Sequence, residues 1–265
     1  MADFTAADGS VIVYSDHGEG IPVLFLHGWM MSRRVWSFQE PLSVLFRVIT
    51  MELRGHGDSL ESEFSYDNCI NDISELLAHL DIEHVVIVGW SMGAQIAIRF
   101  SSVTSSKVAG MILVGGTPCF CKQGDYGFGV PQAEVRSMAL RLKRGYRSTA
   151  GEFFKAMFSD GEISKTDMIT IARRTIGRLP DCPVAVSALK ALTDSDLRDL
   201  LPGISVPVLL VHGTEDSICP PGASEYMASI IPEARLELIK DRGHAPFLSC
   251  PERFNSMLTG FVKSL

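Results

Sequence analysis

The sequence predicts an α/β fold in which a mostly parallel sheet is covered by helices on both faces. Seven short apolar runs rich in β-branched residues recur along the chain, at residues 11–14, 22–28, 46–53, 84–90, 108–116, 206–213 and 234–240. Helix-length segments lie between most of these runs, among them residues 66–82, 223–232 and 251–265. Strands that alternate with helices are typical of a parallel sheet buried on both faces.

The segment 66–82 has the clearest helical pattern. Asp67 is its predicted N-cap, and apolar side chains follow at helical spacing, namely Ile70, Ile73, Leu76, Leu77 and Leu80.

One long segment interrupts the alternation. Residues 119–193 contain no convincing strand and three helix-like stretches, at 133–144, 150–158 and 165–179. We therefore predict a core formed by residues 1–118 and 194–265, with a helical insertion at 119–193. The insertion lies between the strand that ends near Gly116 and the strand that begins near Val206.

Composition indicates an ordinary globular protein. The 265 residues are 46 % hydrophobic and 21 % charged, which allows a sizeable buried core. The first twenty residues lack the basic start and apolar run of a secretory signal, and nowhere do eighteen apolar residues follow one another. We therefore expect a cytoplasmic monomer that does not bind membranes.

Charge is distributed unevenly along the chain. The net charge is −7, but the insertion holds twelve Lys and Arg against seven Asp and Glu, a net of +5. These basic side chains either form solvated helix faces or attract an anionic partner. Nucleic acid is not the expected partner, because most of the surface would repel it and no nucleic-acid motif is present.

Ser91 is the candidate nucleophile. It lies in Gly89-Trp90-Ser91-Met92-Gly93, where an apolar β run gives way to a helix-like segment. A serine on such a tight turn projects its hydroxyl above the sheet, and the flanking glycines avoid collisions in the crowded turn. The alternative is a Gly-rich turn without a catalytic role.

A serine nucleophile needs a base that an acid holds in place, and in this pattern both follow the serine in the order acid, then histidine. The loop after the run 206–213 carries Glu215 and Asp216, and the residues themselves leave both carboxylates open. His244 follows the last run in a Gly-His loop and is the candidate base. Its alternative role is that of a structural loop histidine.

The reaction also needs donors for an oxyanion. The backbone N–H groups of Met92, directly after the serine, and Trp29, in the loop after an early strand, are the candidates. The alternative is that His27-Gly28 merely closes a strand. This chemistry requires no metal and no organic cofactor.

Five short segments resemble those of the α/β-hydrolase superfamily, over the entire chain and in the same order. They are LHGW (26–29), RGHGDS (54–59), GWSMG (89–93), HGTED (212–216) and GHAPF (243–247). The resemblance implies an α/β-hydrolase fold with a helical cap (lid) inserted after the sixth strand. It also implies that Asp216 is the acid and that RGHGDS is a structural turn.

A narrower resemblance is to the family of pimeloyl-[acyl-carrier protein] methyl ester esterases. It rests on LHGWMMSRRVW (26–36), GWSMG (89–93), GTPCF (116–120) and GHAPFLSCPERF (243–254). It implies a serine carboxylesterase that hydrolyses the methyl ester of pimeloyl-acyl-carrier protein, releasing methanol, in biotin synthesis.

The same resemblance implies two sets of binding residues. Because EFFKAMFSDG (152–161) resembles the cap segment that lines the acyl chain, the substrate-binding set is Trp29, Phe154, Lys155, Ala156, Met157 and Phe158. Cap arginines hold the acyl-carrier protein in that family, and the corresponding group here is Arg141, Arg144, Arg147, Arg173 and Arg174.

Three other functions remain open, of which a lyase of the same fold is selected by no feature of the sequence. The second is a general short-chain carboxylesterase of the same fold, because a triad does not set the substrate. The third is a ligand-binding protein on a hydrolase scaffold, which the intact serine, acid, histidine and oxyanion loop disfavour.

Overall fold

A computed structural model describes residues 2–59 and 63–265 of the chain. Within them, strands are β1 Ala2–Thr5, β2 Val11–His17, β3 Pro22–Leu26, β4 Arg47–Met51, β5 Val85–Trp90, β6 Val108–Val114, β7 Val208–Gly213 and β8 Ala234–Ile239. They form one sheet in the order β1-β2-β4-β3-β5-β6-β7-β8. β2 pairs antiparallel with β1 and β4, and all other pairs are parallel. The predicted mostly parallel sheet is confirmed.

The α-helices of the described residues fall between and after these strands. They are α1 Tyr66–His79, α2 Met92–Val103, α3 Gln132–Arg144, α4 Tyr146–Ala156, α5 Lys165–Thr175, α6 Cys182–Asp194, α7 Gly222–Ile230, α8 Pro246–Ser249 and α9 Pro251–Val262. None of them combines the length and apolar composition that crossing a membrane requires.

Alternate residues of the sheet bury two separate apolar layers, as β3 shows. Leu24 and Leu26 join a cluster that includes side chains of α1, α2 and α7. Val23 and Phe25 join a second cluster that includes Phe254 and other side chains of α9. Since successive strand residues face opposite sides, helices cover both faces of the sheet.

Two local predictions need correction. Asp67 is not the N-cap of α1, because Ser65 occupies that position and its hydroxyl accepts the Asn68 N–H at 3.1 Å. The helix begins earlier so that Tyr66 is buried, with its hydroxyl 2.8 Å from Gln95 Oε1. The sequence pattern does not predict the short strand β1, since Phe4 is the one buried residue among its four.

The helices α3 to α6 lie between β6 and β7, so the insertion follows the sixth strand, as the resemblance to α/β-hydrolases implies. The helix-like stretches that the sequence predicts do not include α6. It contacts the core where Trp29 Nε1 donates to the Ala185 carbonyl at 2.8 Å. α5 contacts the core through Arg174, whose guanidinium donates to the Ser37 carbonyl at 2.6 Å. These contacts hold the insertion against the segment between β3 and β4.

Candidate active site

Ser91 lies on a strained turn between β5 and α2. Its backbone has φ 55° and ψ −112°, a conformation that residues with a side chain rarely adopt. A Cβ on Gly89 would collide with the Gly93 carbonyl, and a Cβ on Gly93 would collide with the Leu26 carbonyl. The two glycines are therefore required by close backbone approach, which explains the Gly-x-Ser-x-Gly pattern in this position.

His244 lies in the loop after β8 and is fully buried. Its backbone N–H donates to the Met157 carbonyl at 2.8 Å, and its carbonyl accepts the indole N–H of Trp90 at 2.9 Å. Trp90 directly precedes Ser91, so this contact ties the histidine loop to the nucleophile turn. A Cβ on Gly115 would lie 2.9 Å from His244 Nδ1, which shows how closely β6 approaches the imidazole.

Asp216 is buried in the loop after β7, with Oδ2 2.7 Å from His244 Nδ1. Its other oxygen, Oδ1, accepts the backbone N–H groups of Ile218 at 2.8 Å and Cys219 at 2.9 Å. Burial alone would raise the pKa of this carboxyl. The charge interaction with His244 and hydrogen bonds from His212 and His244 outweigh burial and hold the pKa below its usual value.

This contact determines the tautomer of His244. Because the Asp216 carboxylate is ionised and can only accept, His244 Nδ1 carries the proton and donates it. In the neutral imidazole Nε2 then carries no proton; this atom is buried and has no hydrogen-bond partner among residues 2–59 and 63–265. The imidazole is therefore prepared to accept a proton at Nε2.

Glu215, the other carboxylate that the sequence left open, occupies a different environment. Its side chain is exposed and its Oε1 accepts the Thr214 hydroxyl at 3.3 Å. The structure thus brings Asp216, and not Glu215, into contact with His244.

The loop after β3 closely approaches the nucleophile turn. A Cβ on Gly28 would lie 3.0 Å from the Trp90 ring and 3.3 Å from Ser91 Cβ. Both candidate oxyanion donors adjoin this contact, since Trp29 follows Gly28 and Met92 follows Ser91. Within the described part of the chain, neither of these two backbone N–H groups donates a hydrogen bond. Both are buried, which suits donors for a developing negative charge.

Among the cavities between the insertion and the core, two have mainly apolar linings. The first, of about 680 Å³, we call the Met31 cavity; its apolar lining includes Met30, Met31, Phe153, Phe154, Ile176 and Leu179. The second, of about 340 Å³, we call the Ile218 cavity; its apolar lining includes Phe120, Val130, Val135, Met138, Phe153, Ala156 and Ile218. The lining of the Met31 cavity includes the two residues that follow Trp29, and the lining of the Ile218 cavity includes the two residues that follow Asp216.

Phe153 lines both cavities, although it is not among the substrate-binding residues that the sequence predicts. Its ring lies edge-on to the Trp29 ring with the centroids 4.9 Å apart. Trp29 is held in turn by its hydrogen bond to Ala185. Phe153 immediately precedes Phe154 in the sequence, so only the orientation of α4 shows which of the two residues separates the cavities.

The predicted acyl-pocket residues have different environments. Phe154 lines the Met31 cavity and Ala156 lines the Ile218 cavity. Met157 is fully buried, and its carbonyl accepts the His244 N–H. Phe158 is buried against Phe154, with the ring centroids 5.7 Å apart. Lys155 is exposed and lines neither cavity.

The predicted arginine group divides in two. Arg141, Arg144 and Arg147 are exposed on α3 and α4; Arg141 lines the Ile218 cavity and Arg147 lines the Met31 cavity. Arg173 is exposed on α5.

The guanidinium of Arg174 lies 4.2 Å from the Phe38 ring centre and donates hydrogen bonds to Ser37, so it joins the insertion to the core. Arg178, which the sequence did not single out, also lines the Met31 cavity.

No group of three or more His, Cys, Asp and Glu side chains in the described ranges is arranged to hold a metal ion. The structure instead brings a buried imidazole into contact with a buried carboxylate and ties that imidazole to the strained turn that carries Ser91. This set of groups suits nucleophilic attack on an ester carbonyl.

The chain belongs to the alpha/beta hydrolase family, whose family model matches residues 23–257. A match over this length agrees with the fold and with the strained turn at Ser91. The family and the relatives below show that the chain is a carboxylic ester hydrolase, as the sequence predicts.

Its relatives include two proteins named pimeloyl-[acyl-carrier protein] methyl ester esterase. The protein of Nitrosomonas europaea is 35% identical over 241 residues, which cover 90% of this chain and 94% of that protein. The protein of Nitrosospira multiformis is 30% identical over 262 residues, which cover 96% and 100%. Among solved structures, an esterase from Exiguobacterium antarcticum is similar with a TM-score of 0.90 and 30% identity, over 99% of both chains.

Proposed function

We propose that this protein is a serine esterase that hydrolyses the methyl ester of pimeloyl-acyl-carrier protein. The products are pimeloyl-acyl-carrier protein and methanol, and the reaction takes place in the cytoplasm as a step of biotin synthesis. The proposal combines a reaction type, which the site supports, with a substrate, which the names of the relatives support.

The reaction type depends on one observation above all. A buried His244 Nδ1 lies 2.7 Å from Asp216 Oδ2, and Trp90 ties the same histidine to the turn that carries Ser91. This is the arrangement in which an acid orients a base toward a serine.

The proposed mechanism has two halves. His244 Nε2 takes the proton of Ser91 Oγ as that oxygen attacks the ester carbonyl carbon, and the N–H groups of Trp29 and Met92 stabilise the oxyanion. The tetrahedral intermediate breaks its bond to the methoxy oxygen, which leaves as methanol with the proton from His244. Water then attacks the acyl-enzyme while His244 accepts a proton from it, and Ser91 recovers that proton as the acid leaves.

Two features of the insertion support a carrier-linked substrate. The cavities are lined by apolar side chains, which suit an acyl chain. Exposed arginines on α3 and α4 lie at the same cavities, and acyl-carrier proteins are strongly acidic. The second candidate function, a general carboxylesterase, is favoured by the likeness to the Exiguobacterium antarcticum esterase.

One comparison distinguishes the two functions. We expect preferential cleavage of pimeloyl-carrier protein methyl ester over a short p-nitrophenyl ester, when kcat/KM is measured for both with the same enzyme preparation. Rapid cleavage of the p-nitrophenyl ester with no activity on the carrier-linked ester would leave a general carboxylesterase.

The arginines of α3 and α4 provide a further prediction. Replacing Arg141, Arg144 and Arg147 with glutamine should raise KM for the carrier-linked ester about tenfold at low ionic strength, because each exposed charge contributes up to about 1 kcal/mol to docking. The difference from the wild type should shrink as salt is added. KM for the p-nitrophenyl ester should not change.

A matched control has the same change in net charge at another place. Arg235, Arg253 and Lys263 are exposed and lie outside the insertion, so their triple glutamine variant should leave KM for the carrier-linked ester unchanged. Equal effects of the two triple variants would contradict a local docking surface. Equal losses on both substrates would instead indicate damage to the fold.

A further inference from the structure

His212 is a buried histidine that the proposed mechanism does not use. It is the fifth residue of β7 and is fully buried. Its Nε2 lies 3.0 Å from Asp216 Oδ2, the same carboxylate oxygen that contacts His244 Nδ1. Asp216 Oδ2 therefore lies between two imidazoles.

The neighbours of His212 determine where its proton lies. Nε2 is 2.8 Å from the Cys219 carbonyl, which can only accept, so Nε2 carries a hydrogen. Nδ1 is 2.6 Å from Ser224 Oγ, a hydroxyl that can donate to it. Both contacts are satisfied by a neutral imidazole protonated at Nε2. The positive edge of that N–H then adjoins Asp216 Oδ2.

We propose that His212 is a positioning residue for the acid of the triad. Its Nε2–H group holds Asp216 Oδ2 toward His244. The positive end of this N–H dipole also partly offsets the negative charge on that oxygen. His244 therefore faces less negative charge than it would if Asp216 lacked the His212 contact. Its imidazole is a weaker base than it would be without that contact. The inference rests on the proposed roles of Ser91, Asp216 and His244.

Both oxygens of the Asp216 carboxylate have polar partners in this arrangement. Oδ1 accepts two backbone N–H groups, while Oδ2 contacts the two imidazoles. Such donors favour the ionised carboxylate over the protonated form. Losing the His212 contact would concentrate negative charge opposite His244 Nδ1, and this charge would stabilise the protonated imidazolium. The base strength of His244 would therefore increase.

Few other titratable groups face His212 from the elements around it. α7 contributes Ser224, the loop after β7 contributes Asp216 and Cys219, and the loop after β8 contributes His244. The residue in register on β8 is Leu238. Burial raises the pKa of the Cys219 thiol well above its usual value, so this thiol stays neutral. Tyr126, whose environment includes Cys219, also has a raised pKa through burial.

The test measures how kcat/KM for a p-nitrophenyl ester depends on pH between about 5 and 9, since the acid limb reports protonation of the base. His212→Leu removes the donor, and His212→Asn places its amide near the Nδ1 position and away from Asp216. His212→Gln keeps an N–H donor near the Nε2 position. Ser224→Ala is the matched control, because it removes the other partner of the imidazole.

We expect His212→Leu and His212→Asn to move the midpoint of the acid limb upward by about half a pH unit. Activity well below the midpoint then falls about threefold relative to the plateau. His212→Gln and Ser224→Ala should keep the wild-type midpoint. If His212→Leu does not fold, His212→Asn still decides the matter.

An unchanged midpoint in the Leu and Asn variants, or one equal shift in all four variants, would overturn the inference and leave His212 a packing residue. The outcome is separable from the proposed function. If Ser91→Ala stays active, the proposed triad fails whatever the midpoints are; if Ser91→Ala is inactive and the midpoints do not move, only the role of His212 fails.

Discussion

Replacing Ser91 with alanine should lower kcat for ester hydrolysis by about 10⁴-fold or more, with the carrier-linked and the p-nitrophenyl ester alike. The reason is that the oxyanion donors and the cavities remain while the attacking oxygen is lost. His244 then has no hydroxyl to deprotonate, and only direct attack by water is left. The measurement is kcat for both esters with freshly purified variant, at enzyme concentrations high enough to quantify residual turnover.

The same substitution should leave the fold intact. Alanine keeps the Cβ of serine, so the backbone strain at φ 55° is unchanged, and a change in the free energy of unfolding within about 0.5 kcal/mol is expected. Ser101→Ala on α2 is the matched control, because Ser101 is also buried but belongs to the helix after the turn. Near-normal turnover by Ser91→Ala would exclude the nucleophile role.

The nucleophile turn could be predicted because its sequence pattern has a local cause. Both glycines of Gly-x-Ser-x-Gly are needed for backbone contacts within and beside the turn, and the strand and helix around it have distinct apolar patterns. Most of the sheet was predictable for a similar reason, since the parallel strands β3 to β7 are buried on both faces. β1 has one buried residue among its four and leaves no such signal.

The residues alone could not choose between Glu215 and Asp216. The two carboxylates are adjacent in sequence, and only the turn that follows decides which one is buried. In the structure the backbone N–H groups of Ile218 and Cys219 bind Asp216 Oδ1. The choice of Asp216 came from the family resemblance, and the contact with His244 supports it.

Residues whose environment depends on tertiary packing were beyond sequence reasoning. His212 ends a strand near the acid loop, which the sequence shows, but its distance to Asp216 Oδ2 depends on how that loop folds back. Phe153 lies between the two cavities because α4 turns that side of the helix toward Trp29. In the same way, the exposed position of Lys155 follows from the packing of α4.

Asp216→Asn should lower kcat/KM by about 10⁴-fold, through the tautomer of His244. The N–H groups of Ile218 and Cys219 require an oxygen at the Oδ1 position, so the new amide nitrogen occupies the Oδ2 position. That nitrogen donates to His244 Nδ1, which must then accept, and the imidazole proton moves to Nε2. A protonated Nε2 cannot take the proton of Ser91.

The opposite orientation of the side-chain amide in Asp216→Asn, which would keep the original tautomer of His244, is energetically disfavoured. It would place an N–H₂ group against the two backbone donors and leave them without partners, at a cost of about 1–3 kcal/mol each. Glu215→Gln is the matched control, since it removes the neighbouring exposed carboxylate and should retain wild-type kcat/KM. Comparable losses in both variants, or a loss below about tenfold in Asp216→Asn, would show that Asp216 does not set the tautomer. A large loss in Asp216→Asn alone would instead show that the buried oxygen pair of this side chain, rather than the acidic loop as a whole, makes His244 a base.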